Sequence, residues 1–436
     1  MTQPVAYRAA IFYSLGDPAK VGLENSFAWH EDGVLVVADG HIQDVGPAPE
    51  VLNRLPAGTQ VVELENRLIT PGFIDTHIHF PQTEMIASYG DQLLDWLNNY
   101  TFPEERKFAD PAHAARVAKL FLDELLRNGT TTAMVYGTVH PQAVDAFFTE
   151  SERRNTRMIA GKVMMDRHAP EFLLDTPESS YADSKALIER WHNKGRQLYA
   201  VTPRFAPTSS PEQLDAAGRL LREHKDLYLQ THLSENRKEI AWVKELFPER
   251  SGYLDVYDHH GLLSERSIFA HSVHLEDGEC ERLHATGSGV SFCATSNLFL
   301  GSGLLDLARL ERFDVNVSLG TDVGGGTSFS LLQTMNEAYK VLQLQQQKLH
   351  PLKAFYLATL GGAESLRLDD KLGNLLPGKE ADFLVLDLNA TALMHARTQN
   401  AQTLYEKLFV LMMLGDDRAI ESTFVYGKCQ HGKNGV

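Results

Sequence analysis

The segment F-I-D-T-H-I-H (73–79) reads as a buried strand ending in two histidines two positions apart. It opens a series. Seven more apolar or β-branched runs follow: T-T-T-A-M-V-Y-G (130–137), M-I-A-G-K-V-M-M-D (158–166), L-Y-A-V-T-P-R-F (198–205), L-Y-L-Q-T-H-L (227–233), S-I-F-A-H-S-V (267–273), G-V-S-F-C-A-T (289–295) and V-N-V-S-L-G-T-D (315–322). Helical patterns separate them. Between Pro111 and Asn128, Ala115, Val117, Phe121, Leu122, Leu125 and Leu126 recur at helical spacing before Gly129. A second helix opens at Ser210, with Pro211 in its first turn and Glu212 beside it. Eight strand–helix units predict an α/β fold, a (β/α)8 TIM barrel, whose active site lies at the carboxyl ends of the strands. Periodicity alone leaves a doubly wound open sheet as the competing arrangement.

The chain ends differ from this middle. G-V-L-V-V-A-D-G-H-I-Q-D-V-G (33–46), T-Q-V-V-E-L (59–64), A-D-F-L-V-L-D (381–387) and S-T-F-V-Y-G-K-C (422–429) read as β-hairpin segments. Each flank is too short for a good core of its own. Residues 1–70 and 371–436 are therefore expected to meet as one small β-sandwich domain beside a barrel of residues 71–370, with P-G-K-E-A-D (377–382) as the turn leading back into it.

A length of 436 residues suits one barrel plus such an accessory unit. The hydrophobic share of 43% and charged share of 22% are those of a soluble globular protein. A net charge of −16 argues against nucleic-acid and membrane-surface partners. The three cysteines, Cys280, Cys293 and Cys429, form no C-x-x-C pair. Neither a disulfide framework nor a thiolate metal site is expected, and a reducing cytoplasm fits. The start M-T-Q-P-V-A-Y-R-A-A lacks a secretion signal, and no apolar run reaches the roughly 20 residues of a membrane span.

His77 and His79, at i and i+2 of a strand, point the same way and can reach one ion. With 18 histidines in the chain, one such pair is expected by chance. Their position adds weight, because the fifth strand ends with His232, the sixth with His271 and the eighth with Asp322. Three imidazoles and a carboxylate suit zinc or another borderline divalent metal. Glu235, three residues after His232, is placed to move a proton. The alternative is a helix-start carboxylate with Ser234 as cap. Arg204 offers forked donors at the barrel mouth, or else forms a buried ion pair that holds a loop. Gln82 offers a donor and an acceptor to a heterocycle, or is an ordinary loop residue. Gly324, Gly325 and Gly326 lack the G-K-[ST] of a phosphate loop and read as a tight turn. Trp96 reads as core or pocket wall, His274 as facing away, and His259 and His260 as solvated.

The motifs P-G-F-I-D-T-H-I-H (71–79), T-H-L-S-E (231–235), A-H-S-V-H-L (270–275) and L-G-T-D (319–322) resemble the metal-dependent amidohydrolase superfamily. P-G-K-E-A-D resembles that superfamily's return into its small β-sandwich domain. Longer strings are similar to its guanine deaminase family across nearly the whole chain. They are H-F-P-Q-T-E-M (79–85), L-L-D-W-L-N-N-Y-T-F-P-E-E (93–105), R-N-G-T-T-T-A (127–133), T-P-R-F-A-P-T-S-S (202–210), T-S-N-L-F-L-G-S-G (295–303) and T-D-V-G-G-G-T-S-F (321–329).

The resemblance implies hydrolysis of guanine to xanthine and ammonia, a step of purine catabolism or salvage. It implies one zinc per chain, with iron as the alternative, held by His77, His79, His232 and Asp322. Glu235 becomes the proton shuttle, and His271 with Asp322 orients and polarises the reacting water. Gln82, Arg204 and Phe205 become the purine contacts. A homodimer is expected from the family. Arg204 stands on the fourth strand, where two-metal members carry a carboxylated lysine, so a single metal is expected. Ala294 departs from the family's proline. Another aminopurine, a pterin, a cytosine-like ring or a chlorotriazine on the same centre stays open, as does a non-catalytic scaffold. The H-x-E with P-C-x-x-C combination of nucleic-acid deaminases is absent.

Overall fold

The computed structural model describes residues 3–90 and 93–433. All eight expected strands form, as β1 (Phe73–His79), β2 (Thr130–Tyr136), β3 (Arg157–Gly161), β4 (Leu198–Pro203), β5 (Tyr228–Leu233), β6 (Ser267–His271), β7 (Gly289–Phe292) and β8 (Asn316–Leu319). Consecutive strands are parallel neighbours from β1 to β8. The ring closes just past β8. Asp322 N donates to His77 O at 2.9 Å, and His79 N donates to Val323 O at 2.9 Å. Thr76 Oγ1 meets Ser318 Oγ at 2.8 Å between the same two strands. These bonds exclude the open sheet.

Inside the barrel, Ile74, Met134, Ile159, Ala200, Tyr228 and Ile268 form an apolar floor against Leu366, Leu368 and Leu372. Water is shut out from below, and polar chemistry is confined to the mouth. Ile74 and His77 are three apart, so a regular strand would turn them to opposite faces. The β1–β2 register slips between Asp75 and Ile78. Such a bulge re-aims side chains beside a site. On β6 the matching pair is Ile268 and His271, and His271 itself takes a left-handed φ of 67°.

Strand limits differ from the expectation in three places. The third run splits: β3 stops at Gly161, and Val163–Met164 pairs separately with β4. Lys162 between them is fully buried and ion-paired with Asp175. A Cβ on Gly161 would lie 1.8 Å from Ala200 O, so glycine alone permits the β3–β4 approach. The seventh run leaves the sheet at Cys293 and enters helix Ala294–Phe299. Asp322 stands three residues past the end of β8.

Helix Pro111–Arg127 begins at Asp110, whose side chain accepts from Ala112 N. Ala115 faces solvent, and Ala114 and Ala118 take the buried positions instead. Helix Pro211–Glu223 is capped by Ser210, whose side chain accepts from Gln213 N.

The two chain ends share one seven-stranded sheet. Strand Gln60–Pro71 is its junction: parallel to Val5–Ser14 on one side, antiparallel to Phe383–Asp387 on the other. The sheet curls, so that Ala381 N donates to Gly40 O at 2.8 Å and Tyr426 packs on the Gly40 turn. Within the curl Phe383 and Phe424 stack, and Tyr7 meets Phe383 tilted and Phe424 edge-on. The turn 377–382 is tied to the barrel by charge. Arg157 and Arg196, both buried, pair with Glu380, and Arg196 also with Asp382.

Candidate active site

Four side chains meet at the mouth. The Nε2 atoms of His77 and His79 are 3.3 Å apart, as are those of His79 and His232. Asp322 Oδ1 lies 3.1 Å from His77 Nε2 and 3.3 Å from His79 Nε2. A tetrahedral metal with bonds of about 2.0–2.1 Å separates its ligands by about 3.3–3.4 Å. His232 Nδ1 sits 2.7 Å from Arg204 O, a contact that needs an N–H and leaves the lone pair on Nε2.

Protonation states agree with ligation. Burial pushes His77 down to about 4, against the pull of Asp322. Burial likewise lowers His79, and it lowers His232 well below the ordinary imidazole value with help from His77 and His79. Burial opposes the charge of Asp322, but His77, His79 and His271 outweigh it and hold the carboxyl well below its usual range. Neutral imidazoles and an ionised carboxylate are the forms that bind a metal. Nitrogen lone pairs packed at this spacing repel unless a cation lies between them. The donor set therefore fits a borderline divalent ion.

Backbone geometry brings the site together. Asp322, Ser234, His271 and Ser272 all have left-handed φ values, between 48° and 67°. Asp75, a buried residue that sequence reasoning missed, holds the 321–322 turn by accepting from Thr321 N and His77 N at 3.1 Å each. Gly326 could carry no side chain, since a Cβ would lie 1.8 Å from Thr321 O. The glycine run is a tight turn, as expected.

Glu235 is 2% exposed and faces inward. Its Oε1 accepts from Ser302 Oγ at 2.7 Å, and its Oε2 lies 3.5 Å from His271 Nε2. Burial raises its pKa. The helix-start alternative does not hold. Helix Arg237–Leu246 is capped by Asn236, and its capping box uses Glu239 rather than Glu235. His271 Nδ1 donates to Asn297 Oδ1 at 2.8 Å, leaving Nε2 unpartnered beside Glu235 and 3.8 Å from Asp322 Oδ2. Burial works against a charge on His271, but Glu235 and Asp322 raise it above the ordinary value.

The ion-pair alternative for Arg204 is realised, at a position that also faces the cavity. It lines the cavity, and its Nη1 donates to both oxygens of buried Glu105 at 2.9 Å. Gln82 Nε2 donates to Glu105 Oε1 at 3.2 Å, while Gln82 Oε1 accepts from Gly324 N at 3.2 Å. Phe205, Trp96 and Leu300 form the apolar wall of the cavity. That lining, apolar with a few convergent polar groups, suits a small planar ligand.

Glu105, Asn297 and Ser302 lay inside quoted strings yet had no local signal, because their partners are 99, 26 and 67 residues away. His274 stays out of the cavity and bonds Ser302 O at 2.8 Å. His260 was expected to be solvated but is 7% exposed, its Nδ1 2.7 Å from Asp215. Its partner lies 45 residues away on another helix, beyond the reach of local pattern. Among the described residues, no helix is long and apolar enough to cross a membrane.

An amidohydrolase family model matches residues 68–429. A guanine deaminase of Escherichia coli (strain K12) is 56% identical over 404 residues, which is 93% of this chain and 92% of that protein. A probable guanine deaminase of Deinococcus radiodurans is 42% identical over 428 residues, 97% of each chain. The solved structure of guanine deaminase from C. acetobutylicum, with guanine bound in its active site, has a TM-score of 0.89 at 29% identity, over 98% of this chain and 99% of that one. For E. coli guanine deaminase the TM-score is 0.97 at 53% identity, over 99% of this chain and 100% of that one. The chain belongs to the amidohydrolase family, in its guanine deaminase group.

Proposed function

We propose that this chain hydrolyses guanine to xanthine and ammonia. One observation carries the reading: the four-donor cluster, the inward carboxyl of Glu235 and the Arg204–Gln82 pair all open on the same small cavity. A zinc ion held by His77, His79, His232 and Asp322 would supply Lewis acidity, which lets water be deprotonated near neutral pH. The four donors form one cluster that would hold one ion.

The side chains divide the remaining work. Glu235 takes the first proton of the attacking water on Oε2, the oxygen that Ser302 leaves free, and delivers it to the ring nitrogen beside C2; it then takes the hydroxyl proton of the adduct and delivers that one to the amine, which leaves as ammonia when the C2–N bond breaks. Its raised pKa suits a group that both accepts and returns a proton. His271 and Asp322, facing each other across 3.8 Å, orient the water for addition at C2. Arg204 keeps the N–H groups not used by Glu105 for an acceptor, and O6 of guanine is one. Gln82 retains one amide N–H and one carbonyl lone pair for the ring. Phe205 covers its face. Adenine carries an amino group where guanine has O6 and has none at C2.

The division into a barrel of 71–370 and an accessory unit of 1–70 with 371–436 is part of this reading, since every site residue falls in the barrel. So are a homodimer, supported by the family, and a cytoplasmic setting, supported by three free cysteines. The deciding test is ammonia release from guanine, adenine, cytosine and a pterin under identical conditions. Guanine is expected to lead. A better rate with adenine or cytosine overturns the substrate assignment.

A further inference from the structure

Arg204 is 3% exposed and Glu105 is 1% exposed. A bare guanidinium in so dry a place would be a strong anion receptor. It is not bare, because Glu105 takes Nη1 with both oxygens. Glu105 also takes the amide of Gln82, whose carbonyl is held by Gly324 N. These bonds set the orientation of the amide, since exchanging its O and N would place oxygen on oxygen at Glu105. Arg204 and Gln82 line the cavity, whereas Glu105 does not. The carboxylate thus stands behind the two groups that face the ligand.

From this arrangement we infer that Glu105 sets the charge selectivity of the cavity, so that it accepts neutral oxopurines and rejects their anions. The inference rests on the purine-binding role proposed for Arg204. With its charge balanced from behind, Arg204 offers N–H donors matched to a neutral carbonyl. Without Glu105 the same donors would favour an oxyanion. The distinction matters for turnover. Guanine is neutral near neutral pH, whereas xanthine loses a ring proton there. A cavity that disfavours anions sheds its product as the product ionises. Glu105 touches neither substrate nor reacting atoms, so it is a positioning and specificity-determining residue.

The test uses metal-loaded wild-type enzyme, Glu105→Gln and Glu105→Asp. Binding of xanthine and of urate, which is anionic throughout the neutral range, is measured by calorimetry across neutral pH, alongside KM and kcat for guanine. Glu105→Gln is expected to bind urate at least about tenfold more tightly than wild type, and its affinity for xanthine should rise with pH. Wild type should lose xanthine affinity as the ring ionises, and Glu105→Asp should behave like wild type. Equal urate affinities in wild type and folded Glu105→Gln overturn the inference. So does wild-type affinity for xanthine that rises with pH, a result that needs no variant to fold. Either outcome leaves guanine turnover by wild type intact. Wild-type enzyme that neither binds nor deaminates guanine overturns the purine reading instead.

Discussion

Replacing Arg204 with Met separates two roles that the structure combines. The change removes both 2.9 Å bonds to Glu105 and leaves a carboxylate that is 1% exposed with Gln82 as its remaining side-chain partner. Breaking one side of a buried ion pair costs about 3–5 kcal/mol. For 436 residues, unfolding entropy near Tm is about 0.9 kcal/mol per degree, so Tm should fall by about 3–5 °C. Adding Glu105→Leu removes the stranded charge, and the double variant should recover most of that loss. Guanine turnover should not recover. A charge-assisted hydrogen bond is worth about 1.5–3 kcal/mol, so both variants should lose about tenfold to 150-fold in kcat/KM. Calorimetric melting and ammonia release measure the two effects separately. Additive Tm losses in the double variant would refute the coupled pair, and full turnover by Arg204→Met would remove the guanidinium from the substrate site.

Three further outcomes are expected. Glu235→Gln should keep the fold and the bound metal but lose at least about 10²-fold in kcat, because its Oε2 no longer accepts a proton; normal guanine turnover would leave Glu235 without a chemical role. His77→Ala and Asp322→Ala should each lose metal and activity together, read by elemental analysis of the purified variants, against about one zinc per chain in wild type. Gly161→Ala places a methyl 1.8 Å from Ala200 O, so it should destabilise by about 1–3 kcal/mol or more through strain between β3 and β4, seen as a lower Tm.

Much of this molecule is legible along the chain, for a physical reason. Strand and helix patterns are local: alternation of apolar runs, Asp110 and Ser210 before prolines, and glycines at turns act within a few residues. Eight such units admit few arrangements, and in a barrel the strand ends converge. The places where His77, His79, His232, His271 and Asp322 fall could therefore mark them as candidates, while the choice of four proposed metal ligands among them came from the resemblance. Longer strings also allowed the family to be recognised. What the chain does not display is pairing across distance. Whether Glu235 would cap a helix or turn inward depended on Asn236 and Glu239 taking the cap and on Ser302, 67 residues on, holding the carboxyl. Whether Arg204 would be an ion pair or a substrate contact depended on Glu105, 99 residues earlier in the chain. The bulge after Asp75 and the left-handed backbone at His271, which turn those histidines inward, arise only when neighbouring strands compete for register. Local sequence thus determined the elements and the ends at which chemistry gathers. Tertiary packing decided the partner of each buried charge, because a buried charge must find a counter-charge wherever the fold provides one.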